Sequence, residues 1–361
     1  MRRNRAIIYV LIILAVLLLL RTARNRDKSP IGLPDTPQEQ LEYTLLSENG
    51  GRLDWSERTG KIAFDKRGSD GYYDVYVADN VSSLGSARCL TCSRPEFKQR
   101  HAGNPAWHPN GNYIVFQAQA SSRQADYATP GKGYNNDLWV TDSSGSAFWR
   151  LLDLTSQRTY GVLHPHFSHD GSKITWAQML KTGETFGFWQ LTLADFSVQS
   201  GTPKLSNIKS FKPGSSPKFY ETHGFTKDDR KLIFSSNSDG QTVTGLDIYL
   251  MDIATGKTTN LTSTPKDWDE HAQLSPNGSK LIWSSSTGNR LMHNDLWVMD
   301  IDGQNKRRVT DFHTRARSYY LGAKSFGPAD ASWSADGKSL ITYAITDQTD
   351  GGGRIYLLKF K

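Results

Sequence analysis

The feature that most constrains the fold of this chain is a hairpin pattern that recurs six times. Each copy has an aromatic or apolar anchor, a polar turn and a short apolar strand. The anchors lie 49 to 60 residues apart and are Trp55, Trp107, Phe167, Phe225, Leu274 and Trp333. Four turns contain Asn-Gly or Asp-Gly, which tolerate the positive φ angles of tight hairpins. A period held this regularly predicts a repeat architecture.

A second hairpin follows the first in most copies, as in residues 73–77 and 294–298. Four short strands in each of six copies, without helical periodicity, predict an all-β, six-bladed β-propeller. The sixth copy ends at its third strand, residues 355–358. We therefore expect residues 41–46 to supply the missing outer strand and close the last blade, which removes two sheet edges.

The N-terminal segment differs from the rest of the chain. Residues 6–20 form an uninterrupted apolar run between arginines. A cleavable signal needs small residues at −3 and −1, whereas the possible site here has Arg21 at −3, which favours an uncleaved signal anchor. We predict a transmembrane helix over residues 1–24, a linker over residues 25–40 and a propeller over residues 41–361. The propeller is then on the periplasmic or extracytoplasmic side of a single-pass membrane protein.

Net charge separates the same parts of the chain. The formal net charge is +7, from 43 Lys and Arg against 36 Asp and Glu, and residues 1–28 hold seven of these cations and one anion. The propeller is therefore close to neutral, which argues against a nucleic-acid-binding domain. The 10 Trp, 15 Tyr and 15 Phe residues exclude disorder for most of the chain.

Two motifs resemble a known family. Residues 168–176 follow the pattern S-x-D-G-x-x-I-x-W, and residues 295–300 follow D-L-W-V-x-D. Both are similar to the repeats of TolB-like (WD40-like, PD40) propellers, and the resemblance covers about residues 41 to 361. It implies an exported scaffold whose propeller surface binds other proteins, and it implies no particular activity. Unlike periplasmic TolB, the sequence shows no obvious α/β domain before the propeller.

Polar residues concentrate where the predicted propeller has its channel. In such folds the loops that enter the innermost strands and those that join strands two and three open on one face, here called the loop face. Seven of nine histidines fall there, namely His101, His164, His166, His223, His271, His293 and His313. The position three residues before the anchor holds, in copies two to six, Asn104, His164, Thr222, His271 and Asp330. Glu221 and Glu270 accompany two of the histidines.

These residues come from adjacent blades and predict a ligand-binding surface. Its candidate residues are His101, His164, His166, His223, His271, Asp330, Arg315 and Arg317. Imidazole and carboxylate groups suit Zn, Mn or Fe, which makes a divalent transition metal possible on four candidate ligands, His164, His166, His223 and His271. Alternatively, these polar groups satisfy the backbone of the channel mouth through hydrogen bonds and water. The repeats also resemble those of oligogalacturonate lyases, in which channel histidines hold a metal.

Two function hypotheses follow. The first is a membrane-anchored, monomeric scaffold that binds other envelope proteins, or a saccharide or peptide, at the channel mouth. The second is a metal-dependent lyase or hydrolase on acidic saccharides, with Arg315 or Arg317 neutralising a substrate carboxylate. We favour the binding module over the enzyme. The sequence contains no G-x-S-x-G nucleophile elbow, P-loop or H-E-x-x-H motif.

The two cysteines, Cys89 and Cys92, end the outer strand of the first copy. A redox-active pair of this spacing opens a helix, and a zinc knuckle needs a second pair, so neither is predicted. In an exported domain we expect a short loop disulfide, with free thiols as the alternative.

Overall fold

The computed structural model describes residues 41–120, 127–154, 160–183, 186–214, 218–239, 242, 244–346 and 352–361. These residues form six four-stranded antiparallel sheets, each of which is one blade of a propeller. The prediction of an all-β, six-bladed fold is confirmed. The predicted anchor, residues 1–24, and the linker, residues 25–40, lie outside the described residues. Within the described ranges, no helix is long and apolar enough to cross a membrane.

Strands run in chain order from the channel outward in blades 1 to 5. Blade 1 comprises β2 (Leu53–Trp55), β3 (Ile62–Arg67), β4 (Tyr73–Ala78) and β5 (Arg88–Cys89). Blade 2 comprises β6 (Ala102–Trp107), β7 (Tyr113–Gln119), β8 (Asn136–Asp142) and β9 (Phe148–Leu152). Blade 3 comprises β10 (Val162–Phe167), β11 (Lys173–Lys181), β12 (Phe188–Gln199) and β13 (Thr202–Phe211).

The remaining blades follow the same order. Blade 4 comprises β14 (Tyr220–Phe225), β15 (Lys231–Ser236), β16 (Asp247–Asp252) and β17 (Thr258–Asn260). Blade 5 comprises β18 (Asp269–Leu274), β19 (Lys280–Ser285), β20 (Asp295–Asp300) and β21 (Arg307–Arg308). Blade 6 comprises β22 (Gly327–Trp333), β23 (Ser339–Ile345), β24 (Gly353–Phe360) and β1 (Leu41–Ser47). Two short 3₁₀ helices, Val81–Ser86 and Pro95–Phe97, flank β5.

The sixth blade joins the two ends of the propeller, as predicted. Strand β1 pairs antiparallel with β24, and Leu41 lies opposite Phe360. The ring of Tyr43 stacks on that of Tyr319 with centroids 3.6 Å apart. Because β1 forms the outer edge of this blade, strand β24 is paired on both sides when the ring closes.

Aspartates at the start of the third strand explain part of the repeated motif. In blade 4, Asp247 accepts hydrogen bonds from Thr262 Oγ1 (2.8 Å) and the Thr264 backbone N–H (2.7 Å). Both donors follow the fourth strand, so the bonds tie the outer edge of the blade to its interior. In blade 3, Gln190 replaces the aspartate and donates to Ser210 Oγ (3.0 Å). This part of the motif therefore has a structural role.

Bulges interrupt the innermost strands of blades 2 to 6, where the register with the second strand shifts. Asn104, His164 and His271 have positive φ angles of 51°, 48° and 55° at these bulges. Blade 4 has Gly224 there, with a φ of 88°. A bulge breaks the alternation of side chains along a strand and re-aims those beside it. The channel wall therefore receives more side chains than regular strands would provide.

Candidate functional site

Polar side chains from blades 3 to 6 meet within the channel, and we call His164, Glu221, His271 and Asp330 the channel cluster. His164 Nδ1 lies 3.1 Å from Glu221 Oε1 and 3.9 Å from Asp330 Oδ1. His271 Nδ1 lies 3.4 Å from Glu221 Oε1 and 3.3 Å from Asp330 Oδ1. His164, His271 and Asp330 thus form one group of possible metal ligands, and Glu221 belongs to two neighbouring groups, one with His164 and His223 and one with Glu270 and His271.

Two further histidines and a carboxylate surround this cluster. The ring centroid of His223 lies 6.2 Å from that of His164, and its Nε2 is 2.6 Å from Ser235 Oγ. Glu270 Oε2 lies 3.2 Å from His271 Nε2 and accepts a hydrogen bond from Trp268 Nε1 at 2.7 Å. The ring of His166 lies 6.4 Å from that of His164. These groups are placed to orient the cluster or to contact a ligand.

Several buried polar atoms of this region have no hydrogen-bond partner among the described residues. They are Glu221 Oε1, His271 Nδ1, Asp330 Oδ2, His223 Nδ1 and His166 Nε2. Glu221 is only 2% exposed, and His164 only 4%. Leaving one such group unsatisfied costs about 1–3 kcal/mol. Buried polar atoms of this kind are satisfied by a bound cation or by ordered water.

Burial and the charges of neighbouring groups give the members of the cluster different protonation states. Burial lowers the pKa of His164 to about 3, so this imidazole is neutral near pH 7. Burial also lowers the pKa of His271, but Asp330, Glu270 and Glu221 outweigh it and hold this pKa well above its ordinary value. Burial, followed by the charge of Glu270, raises the pKa of Glu221 well above its ordinary value. Without a metal, protonated His271 supplies the central positive charge.

The cluster fits a divalent transition metal. Ligands placed about 2.0–2.2 Å from a tetrahedral metal are about 3.4 Å from one another, and the distances of 3.1, 3.3 and 3.4 Å above lie near this value. The donor set of two imidazoles and two carboxylates suits Zn, Mn or Fe. His164 and His271 also have the left-handed backbone noted above, a conformation that concentrates at functional sites. A metal could replace the proton on His271 and satisfy the unpartnered atoms.

Two cavities lie at the end of the channel formed by the first hairpin turns, here called the turn face, and the inner one reaches His164 and Asp330 of the cluster. The larger, of about 200 Å³, is lined by the six anchors together with Glu57, His166, Lys227 and Gln273. The narrower, of about 20 Å³, contacts His164 and Asp330 and shares His166 and Gln273 with the first. These cavities therefore open opposite to the loop face that the sequence analysis favoured.

The predicted site residues separate into two groups. The structure brings together His164, His166, His223, His271 and Asp330, which all lie in innermost strands. It places His101 elsewhere, buried between blades 1 and 2, where its Nδ1 accepts a hydrogen bond from the Tyr73 backbone N–H at 3.2 Å.

The two predicted arginines also lie away from the cluster. Arg317 Nε is 2.6 Å from Asp311 Oδ2, next to Tyr319, which stacks on the outer strand β1. Arg315 is exposed in the same loop. The structure therefore places this loop at the outer rim of blades 5 and 6. Ligand binding by these arginines remains a prediction.

Two other groups of the sequence analysis have separate positions. His293 and His313 form their own pair, with Nδ1 atoms 3.2 Å apart. Cys89 and Cys92 are joined in a disulfide, and no free cysteine occurs among the described residues.

One residue of the channel lining, Arg52, was not among the predicted site residues. Arg52 precedes Trp55 by three residues, the position that Asn104 and His164 occupy in later copies. It is 5% exposed, and its Nη1 lies 4.0 Å from Asp65 Oδ1. Applying the same count to the first copy would have found it.

No family model matches the chain. TolB from Acinetobacter baumannii is similar in structure, with 17% identity and a TM-score of 0.53 over 84% of this chain, which spans 65% of that TolB. An oligogalacturonate lyase in complex with manganese has 15% identity and a TM-score of 0.52, covering 93% of this chain and 98% of the lyase. Prolyl oligopeptidase B from Galerina marginata has 12% identity and a TM-score of 0.51, covering 82% and 38% respectively. At these identities the likeness shows the fold alone, and that fold is a TolB-like six-bladed β-propeller.

Proposed function

We propose that the channel cluster binds a divalent transition metal and that the propeller is a metal-dependent lyase or hydrolase acting on acidic saccharides. The observation that carries this proposal is the set of overlapping three-residue groups of possible metal ligands, which share His164, Glu221 and His271 and lie among unpartnered, buried polar atoms. A network built only for stability would pair these atoms with hydrogen-bond donors and acceptors. The proposal includes the membrane anchor over residues 1–24, which holds the propeller outside the cytoplasm.

The ligands and the cavity have distinct roles in this proposal. His164, Glu221, His271 and Asp330 would hold the metal, which would polarise an oxygen of the substrate. Burial lowers the pKa of His166 to about 4, so this partly exposed imidazole is neutral near pH 7 and available to a substrate hydroxyl. The six anchors belong to the apolar part of the cavity lining. The similarity to an oligogalacturonate lyase in complex with manganese supports the metal and the substrate class in this proposal.

A protein-interaction scaffold is the second candidate function. The similarity to TolB favours it, since the resemblance of the repeats implies binding of other envelope proteins. In that case the cluster is an internal ion network, in which protonated His271 balances the carboxylates. A peptide or saccharide ligand, and a monomeric propeller, are compatible with both candidates.

Metal analysis of the purified full chain distinguishes the two functions. The protein is loaded separately with Mn²⁺, Zn²⁺ and Fe²⁺, dialysed, and measured by elemental analysis and calorimetry. The enzyme hypothesis predicts about one metal per chain, and loss of that metal in His164→Ala and His271→Ala. His169→Ala is the matched control, because His169 pairs with Asp229 outside the cluster at 3.0 Å. Absence of stoichiometric metal in the wild type, with each ion, would support the scaffold.

Activity is tested separately on saccharide substrates. Oligogalacturonates and neutral oligosaccharides of equal length are incubated with the metal-loaded protein. Elimination gives an unsaturated sugar that absorbs short-wavelength ultraviolet light, whereas hydrolysis gives new reducing ends without this absorption. Turnover of neither substrate class by the loaded protein would contradict the proposed activity, though not the metal site.

A further inference from the structure

The cavity at the turn face contains a single type of cationic side chain. Of its described lining residues, Lys227 is the only Lys or Arg, and it lies among residues that include the carboxylates Asp54 and Glu57. Lys227 belongs to the first hairpin turn of blade 4, beside the mouth of the cavity. The Nζ atom lies 3.8 Å from Glu57 Oε2, in the corresponding turn of blade 1.

Blades 1 and 4 lie on opposite sides of a six-bladed ring, so this ion pair spans the mouth of the cavity. The two side chains are 46% and 51% exposed. Exposed ion pairs of this kind contribute at most about 1 kcal/mol, so an anionic ligand can readily displace Glu57. Among the described residues, Glu57 is the one carboxylate that forms an ion pair with Lys227.

The cavity leads from this pair to the channel cluster. His166 and Gln273 line both the wide cavity and the narrow one, and the narrow cavity reaches His164 and Asp330. His166 is partly exposed, whereas His164 is buried. A ligand entering from the turn face therefore meets Lys227 first, then the aromatic anchors, then His166.

We infer that the channel site receives its substrate through the turn face, and that Lys227 is the residue that recognises the substrate's anionic group. This inference rests on the proposed function and assigns to Lys227 the role that the sequence analysis gave to Arg315 or Arg317. The ligand class is a carboxylated sugar or a comparably small organic anion, since about 200 Å³ holds roughly one sugar ring and excludes a folded protein loop.

The route is tested without any metal, by the reactivity of an introduced thiol. The chain has two cysteines, and both are in the disulfide, so His166→Cys supplies one free thiol at the inner end of the cavity. The protein is treated with a negatively and a positively charged methanethiosulfonate reagent of similar size. The inference predicts that both reagents modify the folded protein and that the rate of the anionic one depends on Lys227.

Charge reversal at the mouth then tests Lys227. Adding Lys227→Glu to His166→Cys should slow the anionic reagent about tenfold and accelerate the cationic one, because the field at a narrow mouth controls entry. High salt should reduce the difference. Lys204→Glu is the matched control, since Lys204 is an exposed lysine on β13, outside the cavity lining. It should leave both rates unchanged.

Two results would overturn the inference. One is a thiol that reacts with neither reagent in the folded protein, both in His166→Cys and in Gln273→Cys, which tests a second wall of the cavity. The other is an unchanged ratio of the two rates in Lys227→Glu. Either result would leave the metal analysis unaffected, so this inference and the proposed function fail independently.

Discussion

Substituting Glu221 by Gln separates a metal ligand from a purely structural group. Burial and the Glu270 charge raise the pKa of Glu221, so the metal-free protein holds this carboxyl in its neutral form. Gln has nearly the same shape, and its amide can donate to Glu270 as the protonated carboxyl does. Metal binding, by contrast, needs the ionised carboxylate, which Gln cannot supply.

The magnitudes of the two effects are therefore different. As an isosteric change, Glu221→Gln should alter the free energy of unfolding of the metal-free protein by less than about 1.5 kcal/mol. Loss of even a group that supports a metal ligand lowers metal affinity about 10–100-fold, so loss of a ligand should cost at least 100-fold. At a metal concentration 100 times the wild-type Kd, the metal stabilises the wild type by about 2.7 kcal/mol and the variant by about 0.4 kcal/mol.

Asp330→Asn is the informative comparison. Burial raises the pKa of Asp330, but His271 and His164 outweigh it and hold this pKa below its usual range, so the carboxylate is charged in the metal-free protein. Removing one partner of a buried ion pair costs about 3–5 kcal/mol. Asp330→Asn should therefore destabilise the protein with or without metal.

The assay is thermal unfolding of both variants and the wild type, in chelator and in excess Mn²⁺ or Zn²⁺. We expect the metal-dependent rise in Tm to disappear in Glu221→Gln while its Tm in chelator stays near that of the wild type. A wild-type Tm that does not respond to either metal would refute the reasoning. So would a Glu221→Gln variant that keeps the full metal-dependent rise.

Three further predictions concern the stability of the propeller. Deleting residues 41–47 should abolish cooperative unfolding measured by circular dichroism, because β24 loses its partner, whereas deleting residues 1–40 should leave the melting curve unchanged. Thr262→Val removes the hydrogen bond to Asp247 and the acceptor of the Ile248 N–H. It should lower the free energy of unfolding, measured in urea, by about 1–3 kcal/mol. The control Thr258→Val should lower it less. Burial raises the pKa of Asp295 to about 7, so the folded state binds more protons than the unfolded state between about pH 4 and 7. The stability of the folded state therefore falls as the pH rises through this range. Asp295→Asn should make Tm less dependent on pH over the same range.

The strand repeat could be predicted from the sequence because local chemistry determines it. Turns such as Asn110-Gly111 and Asp170-Gly171 favour hairpins regardless of what surrounds them, and the alternating strands between them repeat with the same spacing. The closing strand was readable because the sixth copy lacked a fourth strand. These features depend on neighbouring residues or on simple counting.

The channel cluster and the turn-face cavity could be predicted from the sequence only in part. Regular alternation would point Glu270 and His271 to opposite faces of their strand, yet the bulge between Glu270 and Gln273 lets both approach the cluster. The turn-face cavity depends on how six anchors pack around the channel, which spacing along the chain does not specify. The pairing of Glu57 with Lys227 across that mouth likewise arises only when the ring is closed.

The closed sixth blade also has a consequence for the order of events during synthesis. Strand β1 is made first, but its partner β24 is made last, and Glu48 and Arg354, which form an ion pair between these regions, are 306 residues apart in the chain. Until then the growing polypeptide carries an unpaired strand with Tyr43 and its neighbours exposed, the kind of edge that invites aggregation. Ring closure is also a contact of very long range, which slows folding. The nascent chain therefore depends on protection of its first strand throughout its synthesis.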